Sequence, residues 1–359
     1  MAPPQSHATD EGHPGGGHDY GETPLIVTWE VTQACELECD HCRADAQPDR
    51  HPDELSTEEG KTLIDQVASF GSPPPILVFS GGDPLERPDL FELIEYATSQ
   101  GLQTGVTPAP TTALTERVLD RFAELGVHRI ALSLDGASAE SHDSFRGEEG
   151  SFETIRQAAE YAADIGLSVQ INTTVTATTV EELPDIASLV DAFEAVMWEV
   201  FFLVPIGRGT ELEQLSPAKA EQTLQWLYRR QQDADFRVIT VEAPHYRRIA
   251  REIAREEGSG HPRVGSTGDG NGFAFVSHTG SVYPSGFLPV AAGSVRDEDI
   301  VELYRDTPLF QSLRDADQLQ GPCGGCPHRT VCGGSRARAH ATSDDPLASD
   351  PLCARAARE

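Results

Sequence analysis

The chain has 359 residues, 38% of them hydrophobic, and its 58 acidic side chains outnumber 27 basic ones to give a formal net charge of −31. So acidic a chain lacks the basic patches that bind phosphates, and we expect no nucleic-acid partner. No segment approaches the roughly 20 apolar residues that cross a bilayer, and the N-terminus lacks the basic and apolar regions of a signal peptide. We therefore expect a cytoplasmic protein that does not associate with a membrane.

Strand and helix patterns alternate through the first two thirds of the chain, after a Gly-, Pro- and His-rich stretch at 1–22 whose composition is typical of a disordered tail. The predicted strands lie at 24–32, 75–82, 103–108, 127–136, 167–176 and 196–209. The predicted helices lie at 56–70, 89–101, 112–126, 151–166, 180–195 and 217–233. The first of these helices begins with a capping box formed by Ser56 and Glu59.

This alternation predicts the fold class. Six strand–helix steps indicate a parallel sheet with right-handed crossovers, and they are fewer than the eight steps of a closed barrel. We therefore predict an α/β fold, a partial (β/α)6 barrel over 23–235 with its site at the carboxyl ends of the strands. The pattern changes after residue 235, where 272–287 predicts a hairpin turning at Thr279–Gly280 and 300–315 predicts a helix. We assign 236–359 to a small C-terminal domain.

The first set of cysteines follows the first predicted strand. Cys35, Cys39 and Cys42 are spaced C-x3-C-x2-C. Three thiolates can hold three irons of a [4Fe–4S] cluster and leave the fourth iron open, whereas closed clusters usually have four cysteine ligands. The alternative is a zinc site with His41 as the fourth ligand.

The second set is spaced C-x2-C-x5-C-x20-C. It comprises Cys323, Cys326, Cys332 and Cys353. Four thiolates complete the ligation of a second [4Fe–4S] cluster, which makes the C-terminal domain a candidate iron–sulfur domain. A structural zinc ribbon is the alternative, and the spacing alone does not separate the two.

The C-x3-C-x2-C motif after the first strand resembles the signature of radical S-adenosylmethionine (SAM) enzymes. Two further motifs support the resemblance, SGGDP at 80–84, with Asp83 in place of the usual Glu, and ALSLDG at 131–136. The resemblance implies that the open iron binds SAM and that the reduced cluster cleaves SAM to methionine and a 5′-deoxyadenosyl radical. His41 occupies a position that is usually aromatic in this family.

The same resemblance implies a set of SAM-binding residues at the strand ends. They are His41, Gly81, Gly82, Asp83, Ser133, Asp135, Arg146, Asn172 and Leu203. Arg146 is the candidate for the SAM carboxylate, with Arg156 as a competing candidate, because guanidinium groups bind carboxylates with two parallel hydrogen bonds. Asn172 is implied for the ribose, and the backbone near Leu203 for the adenine.

The C-terminal segment resembles the SPASM or shorter twitch extension of radical SAM enzymes. Ser277 and Ser285 stand where a full SPASM domain has further cysteines, so we expect one auxiliary cluster. The closing stretch CGGCPHRTVCGGSRARAHATSDDPLASDPLC is similar to radical SAM enzymes of heme biosynthesis, namely heme b synthases, the enzymes that convert didecarboxysiroheme to coproheme, and the heme d1 protein.

This resemblance implies a tetrapyrrole substrate and a low-potential electron donor such as ferredoxin. The expected reaction is oxidative decarboxylation of Fe-coproporphyrin III propionates to vinyl groups, and the alternative is removal of acetates from didecarboxysiroheme. Arg208, Arg336 and Arg338 are candidates for the substrate carboxylates. The last two could instead wrap the second cluster. His245 and His278 are candidates for an approach to the substrate iron.

Two readings from other classes remain. A peptide-modifying SPASM maturase would commonly carry an N-terminal peptide-binding domain, for which the first 22 residues are too short and too polar. A non-catalytic iron–sulfur or zinc scaffold would not need the three-cysteine motif with its glycine pair. Formation of 5′-deoxyadenosine from SAM separates an enzyme from a scaffold.

The charge balance generates the first testable prediction. Only Lys61 and Lys219 are lysines, and acidic residues are spread along the whole chain, as in proteins of a halophilic cytosol. At about 1 M salt the Debye length is about 3 Å, so self-repulsion is screened, whereas at about 0.01 M it reaches about 30 Å. We expect circular dichroism to show unfolding at low salt and recovery on addition of KCl. Full stability without salt would contradict a halophilic source.

Overall fold

The structure is a computed structural model that describes residues 19–258, 262, 264–265 and 267–356. The strands are β1 (Ile26–Glu30), β2 (Ile76–Ser80), β3 (Thr104–Val106), β4 (Arg129–Ser133), β5 (Val169–Val175), β6 (Met197–Phe202), β7 (Arg237–Val241), β8 (Phe273–Val276), β9 (Ser281–Tyr283) and β10 (Gly293–Ser294). They form one sheet in the order β10-β9-β8-β1-β2-β3-β4-β5-β6-β7. The expected tail at 1–22 lies mostly outside the described residues.

Helices follow most of the strands. They are α1 (Thr57–Ala68), α2 (Leu90–Ser99), α3 (Glu116–Glu124), α4 (Ala139–Arg146), α5 (Ser151–Asp164), α6 (Leu183–Ala192), α7 (Pro217–Gln232), α8 (His245–Glu257), α9 (Ile300–Asp306), α10 (Pro308–Arg314), α11 (Gly321–Gly324) and α12 (Arg336–Ser343). The capping box of α1 is present, since Ser56 accepts from the Glu59 amide and Glu59 accepts from the Ser56 amide. None of the helices in the described part of the chain is long and apolar enough to span a membrane.

The six expected strand–helix steps are confirmed, and the sheet is parallel from β1 through β7. The sequence patterns missed α8, α11, α12 and the short strand β10, and they predicted one helix over 300–315 where α9 and α10 lie. Within the rest of the sheet and its helices they missed two further elements. One is β7, which adds a seventh parallel strand beside β6. The other is α4, which follows β4 and begins with a capping box at Ser138. The sheet stays open because β7 and β10 form its two edges.

The sheet crosses the boundary that the sequence suggested at 235/236. Both β7 and β8 come from the C-terminal side of that boundary, and β8 pairs parallel with β1. The hairpin of β8 and β9 turns where expected, with Gly280 at a φ of +90°. Residues 19–22 also pack onto this region, because the Tyr304 hydroxyl donates to the Tyr20 carbonyl at 2.6 Å.

One face of the sheet packs against the helices. Trp29 on β1 lies against α1 so closely that a Cβ at Gly60 would come within 2.6 Å of its ring. Trp198 on β6 meets Trp226 of α7 edge to face at 6.2 Å. Alternate side chains of a strand point to opposite faces. Glu30 and Glu199 each directly follow one of these tryptophans, so their side chains point to the opposite face of the sheet, which is the inner face of the partial barrel.

The contact of Gly60 with Trp29 generates a stability prediction. Gly60→Ala should lower the free energy of unfolding by about 1 kcal/mol, because overpacking costs about 2 kcal/mol within a range of 1–3 and the gain in helix propensity of about 1 kcal/mol offsets only part of it. Gly265→Ala is the control, since nothing lies within 4 Å of a Cβ at that position. Denaturant unfolding at high salt measures both. Equal stability of the two variants would refute the close packing.

Candidate active site

The first three cysteines lie together in the loop between β1 and α1, at the carboxyl edge of the sheet. Cys35 and Cys39 are buried and pack with Leu37 and Ala109, and Cys42 packs beside them. The loop is held by backbone bonds, including the Cys35 amide to the Gln47 carbonyl at 2.8 Å. We call residues 31–47 the cluster loop.

The donor set of this loop fits an iron–sulfur cluster. Each sulfur receives one N–H group, from the Leu37 amide to Cys35 at 3.4 Å, from the Ala46 amide to Cys42 at 3.5 Å and from Arg146 to Cys39 at 3.6 Å. Hydrogen bonds to sulfur stabilise thiolate and help to set the potential of a cluster. Burial raises the pKa of Cys35 to about 12, so metal binding must displace its proton.

The glycine pair after β2 packs directly on the cluster loop. A Cβ at Gly81 would lie 2.6 Å from the Thr32 carbonyl oxygen, and one at Gly82 would lie 2.3 Å from the Ala34 carbonyl oxygen. The Gly82 amide donates to Thr32 at 2.9 Å and the Asp83 amide donates to Ala34 at 2.7 Å. The glycines are therefore required for this backbone contact.

The side chain of Asp83 serves this loop rather than a ligand. It is fully buried, and its oxygens accept from the amides of Leu85 and Ala109 and from the Thr111 hydroxyl at 2.9 Å. Burial raises its pKa. The sequence suggested Asp83 as a SAM-binding residue, and we correct this to a structural role for its side chain, because both carboxylate oxygens already accept internal donors.

Asp135 and Arg146 form a buried ion pair next to Cys39. The closest oxygen and nitrogen are 2.5 Å apart, and the other oxygen of Asp135 accepts from the Thr174 amide at 2.6 Å. Burial favours a higher pKa for Asp135, but Arg146, with His41 and His142, lowers it below its usual value. Arg146 Nε is buried without a hydrogen-bond partner among the described residues.

His41 packs on this ion pair. Its ring stacks on Phe145 at 4.7 Å, and Nε2 lies 3.9 Å from Asp135. Burial lowers the pKa of His41 to about 4, so the ring is neutral at physiological pH. Arg156, the competing candidate for the SAM carboxylate, lies on the surface of α5 and pairs with Glu153 and Glu160.

A polar row crosses the inner face from the end of β4 to the middle of β5 and β6. Ser133 on β4 is paired in register with Asn172 on β5, which is paired with Glu199 on β6. Asn172 accepts a hydrogen bond from Gln170 at 2.8 Å. Burial raises the pKa of Glu199 to about 7. Of the three, the sequence motifs indicated Ser133 and Asn172.

The loop after β6 returns to the cluster loop. The Arg208 amide donates to the Cys42 carbonyl at 3.1 Å, and Arg208 Nε donates to the Cys39 carbonyl at 2.8 Å. Arg208 Nη2 is buried without a hydrogen-bond partner among the described residues. At the end of the same strand, the Leu203 carbonyl accepts from Arg338 at 3.1 Å. That carbonyl is therefore engaged within the protein, and the adenine contact with the backbone near Leu203 stays a prediction.

The structure argues against Arg336 and Arg338 as residues that bind the substrate carboxylates. Arg336 donates to the carbonyls of Pro346 and Ala348 at 2.9 and 2.7 Å. Arg338 is fully buried and pairs with Asp350. A buried guanidinium needs such internal partners, and these leave neither side chain directed at a ligand.

The second set of cysteines surrounds one cavity of about 380 Å³ at the C-terminus. The lining includes Cys323, Cys326, Cys332 and Cys353. His245 also lines the cavity and is 2% exposed, which separates it from the inner face of the sheet. Burial raises the pKa of Cys332 to about 12. Four cysteines at one cavity can hold a [4Fe–4S] cluster or a zinc ion.

Sequence reasoning missed Glu30 and Arg43 on the inner face. Arg43 Nη2 lies 2.8 Å from Glu30, and the guanidinium carbon lies 4.6 Å from the centre of the Phe275 ring. Two signals were available, since Glu30 is a charged residue ending an apolar strand and Arg43 directly follows Cys42. His278, which the sequence did indicate, lies 2.7 Å from the other oxygen of Glu30.

The glycine contact generates a site prediction. Gly82→Ala should weaken SAM binding by about tenfold or more in the reconstituted protein, because the added methyl group displaces the SGGDP turn from the cluster loop. Gly71→Ala is the control, since a Cβ there would approach only the Thr23 hydroxyl at 3.4 Å. Equilibrium binding of SAM under anaerobic conditions measures both. Wild-type affinity in Gly82→Ala would contradict the role of this contact.

Comparison with known proteins identifies the family. Residues 29–190 match the model of the Radical SAM superfamily. An AdoMet-dependent heme synthase of Methanosarcina barkeri is 41% identical, over 92% of this chain and 96% of that protein. One from Nitratidesulfovibrio vulgaris is 40% identical, over 97% and 96%. The Fe-coproporphyrin III synthase of M. barkeri is 31% identical, over 91% and 87%.

Solved structures agree in fold. Streptococcus suis SuiB bound to S-adenosylmethionine superposes with a TM-score of 0.73 at 16% identity, over 93% of this chain and 78% of that one. The anSMEcpe structure with bound AdoMet and Cp18Cys peptide gives a TM-score of 0.69 at 18% identity, over 92% and 94%. A cluster loop after β1, a glycine turn after β2 and polar residues at later strand ends, together with these relatives, show that the chain is an enzyme that belongs to the radical SAM superfamily and uses SAM with an iron–sulfur cluster.

Proposed function

We propose that the protein is a radical SAM heme synthase, which converts two propionates of Fe-coproporphyrin III to vinyl groups. The observation that carries this proposal is the sequence identity of 41% and 40% to two AdoMet-dependent heme synthases, over nearly their whole length. The Fe-coproporphyrin III synthase, whose name corresponds to the alternative reaction, is less similar, at 31% sequence identity. The inner face of the sheet supports a flat substrate bearing carboxylates.

Aromatic side chains line that face. Phe201 on β6 and Phe287 after the hairpin have ring centres 6.1 Å apart. On the opposite flank, Phe275 on β8 lies 6.2 Å from Tyr283. Aromatic faces and a few placed polar groups are typical of sites for flat cofactors and ligands. A macrocycle between these flanks would lie at the carboxyl edge of the sheet, beside the cluster loop.

Cationic groups beside the cluster loop suit the carboxylates of substrate and SAM. Arg208 keeps one buried nitrogen without a partner, and it is held over the loop by its bond to Cys39. We assign Arg208 to a carboxylate of the substrate. We assign Ser133 on β4, Asn172 on β5 and Arg146 to the binding of SAM. We assign the backbone of Gly81 and Gly82 to the amino group of SAM. These groups bind and orient the two reactants.

The chemistry balances for each propionate. A hydrogen atom leaves the carbon next to the ring, the carboxylate leaves as CO₂ and one electron is released, so that a vinyl group remains. When bound, SAM and the first cluster supply the radical that removes the hydrogen atom. A low-potential donor of the ferredoxin type and a reducing cytoplasm suit this chemistry.

We propose that the C-terminal cysteines hold a second, closed [4Fe–4S] cluster, which accepts the released electron, and that 236–359 is a SPASM- or twitch-type domain. Support comes from the cavity of about 380 Å³ that Cys323, Cys326, Cys332 and Cys353 line together. A structural zinc ribbon is the alternative for four cysteines, and metal analysis separates the two.

The test of the function is an anaerobic assay with two substrates. The reconstituted protein is incubated with SAM, a reductant and either Fe-coproporphyrin III or didecarboxysiroheme, and products are identified by mass. We expect the first substrate to lose two CO₂ and four hydrogen atoms in total, and the second substrate to remain unchanged. Removal of acetates from didecarboxysiroheme would transfer the proposal to the alternative reaction. Turnover of neither substrate would refute both.

The two cysteine sets generate a matched prediction. Cys39→Ala should abolish formation of 5′-deoxyadenosine, because the open cluster is lost. Cys332→Ala should retain some SAM cleavage but give little vinyl product, because the acceptor of the electron is missing. Iron analysis should give about eight irons per wild-type chain and about four in each variant. Stoichiometric zinc in the wild-type protein would refute the second cluster while leaving the first untouched.

A further inference from the structure

Glu30, Arg43 and His278 form a linked group on the inner face, apart from the residues assigned to SAM. One oxygen of Glu30 lies 2.8 Å from Arg43 Nη2, and the other lies 2.7 Å from His278 Nδ1. Glu30 is only 4% exposed. A buried carboxylate with two such partners is a fixed element, and it determines where the imidazole of His278 lies.

The topology places His278 at the edge of the sheet where the reaction occurs. It follows β8, which runs parallel to β1, so both strands end at the same edge. The Leu55 amide donates to the His278 carbonyl at 2.8 Å, which ties the hairpin turn to the chain that continues from the cluster loop. Arg43, the residue after Cys42, connects to His278 through the single carboxylate of Glu30.

The carboxylate also decides the tautomer. The ion pair with Arg43 Nη2 at 2.8 Å holds Glu30 as a carboxylate, which can only accept hydrogen bonds. Nδ1 of His278 must therefore donate. In the neutral ring the lone pair is then on Nε2, which makes no hydrogen bond to any residue in the described part of the chain. The His278 side chain remains 13% exposed.

We propose that Nε2 of His278 coordinates the iron of the iron porphyrin substrate. The inference deepens the proposed function and rests on it. A neutral imidazole is a common ligand of iron, and a carboxylate bonded to its other nitrogen fixes the ring and raises its basicity. The bond is dative and needs no redox partner. His245, the other candidate from the sequence, lies at the second cysteine cavity and is 2% exposed.

Coordination gives the substrate a defined position. Phe275 lies beneath Arg43 at 4.6 Å, so a cation and an aromatic surface flank the same wall as the histidine. An axial ligand would hold the macrocycle at this wall, while Arg208 on the loop after β6 receives a carboxylate from the other side. The histidine would therefore select for the iron-bearing macrocycle over the free porphyrin.

The experiment compares the anaerobic binding of ferric Fe-coproporphyrin III with that of iron-free coproporphyrin III. Optical absorption and electron paramagnetic resonance report the iron ligand, and titration reports affinity. We expect wild-type protein to give a histidine-ligated spectrum. His278→Ala should lose that spectrum and bind the iron form at least about tenfold more weakly, with unchanged affinity for the free porphyrin. Added imidazole should restore the spectrum in a folded variant.

Two further variants sharpen the test. His51→Ala is the matched control, because this exposed ring lies 5.2 Å from the His278 ring but its Nδ1 accepts from the Asp53 amide. It should behave as wild type. Glu30→Gln keeps an acceptor for Nδ1 but removes the charge, so the spectrum should shift and affinity for the iron form should fall less than in His278→Ala.

The outcomes separate the inference from the function it rests on. A histidine-ligated spectrum that persists in His278→Ala would overturn the inference and leave the heme synthase proposal intact. Wild-type protein that binds Fe-coproporphyrin III without a histidine signature would do the same. Wild-type protein that binds neither porphyrin would overturn both.

Discussion

The buried guanidinium of Arg338 connects the two halves of this protein. It donates to the carbonyl of Phe202, the last residue of β6, at 2.9 Å and to the carbonyl of Glu242, directly after β7, at 2.8 Å. It also pairs with Asp350 at 3.3 Å. A buried charge without partners costs several kcal/mol, so these contacts must form together. Because Asp350 lies three residues before Cys353, one side chain joins the strand ends to the second cysteine set.

The two cysteine sets differ in how the protein surrounds them. In the cluster loop, three sulfurs each receive one N–H donor, and the glycine turn after β2 and the Asp135–Arg146 pair close the loop from two sides. No fourth cysteine is present in that loop, which leaves room for SAM. The second set brings four cysteines to one cavity. This difference is the basis for proposing an open cluster for chemistry at one end of the molecule and a closed cluster for electron transfer at the other.

The inner face of the sheet explains how a polar interior can be stable. Glu30 is paired with Arg43 and His278, and Asp135 with Arg146, so these two buried carboxylates have cationic or imidazole partners. Such pairs cost desolvation, and they hold side chains in one orientation. That orientation is what a substrate with several carboxylates and a central iron requires.

Local features could be read from the sequence because neighbouring residues determine them. The capping box at Ser56, the six strand–helix steps, the hairpin turn at Gly280 and the cysteine spacings depend on residues a few positions apart. The strand β7 was missed because its formation depends on pairing with β6. The helix α4 was missed because its short segment lies within a motif that suggested only a ligand site.

Residues far apart in the chain had to be brought together by the fold. Glu30 and His278 are 248 positions apart, and Arg338 is 136 positions from Phe202. No periodicity links such positions, because their contact follows from parallel pairing of β8 with β1 and from the packing of α12 on the ends of β6 and β7. The sequence by itself determined which chemistry is possible, through residue types at short spacings. Only the tertiary structure decided which charged groups are buried with internal partners, as Asp83, Arg336 and Arg338 are, and which remain available to a ligand, because burial and pairing are properties of the assembled sheet.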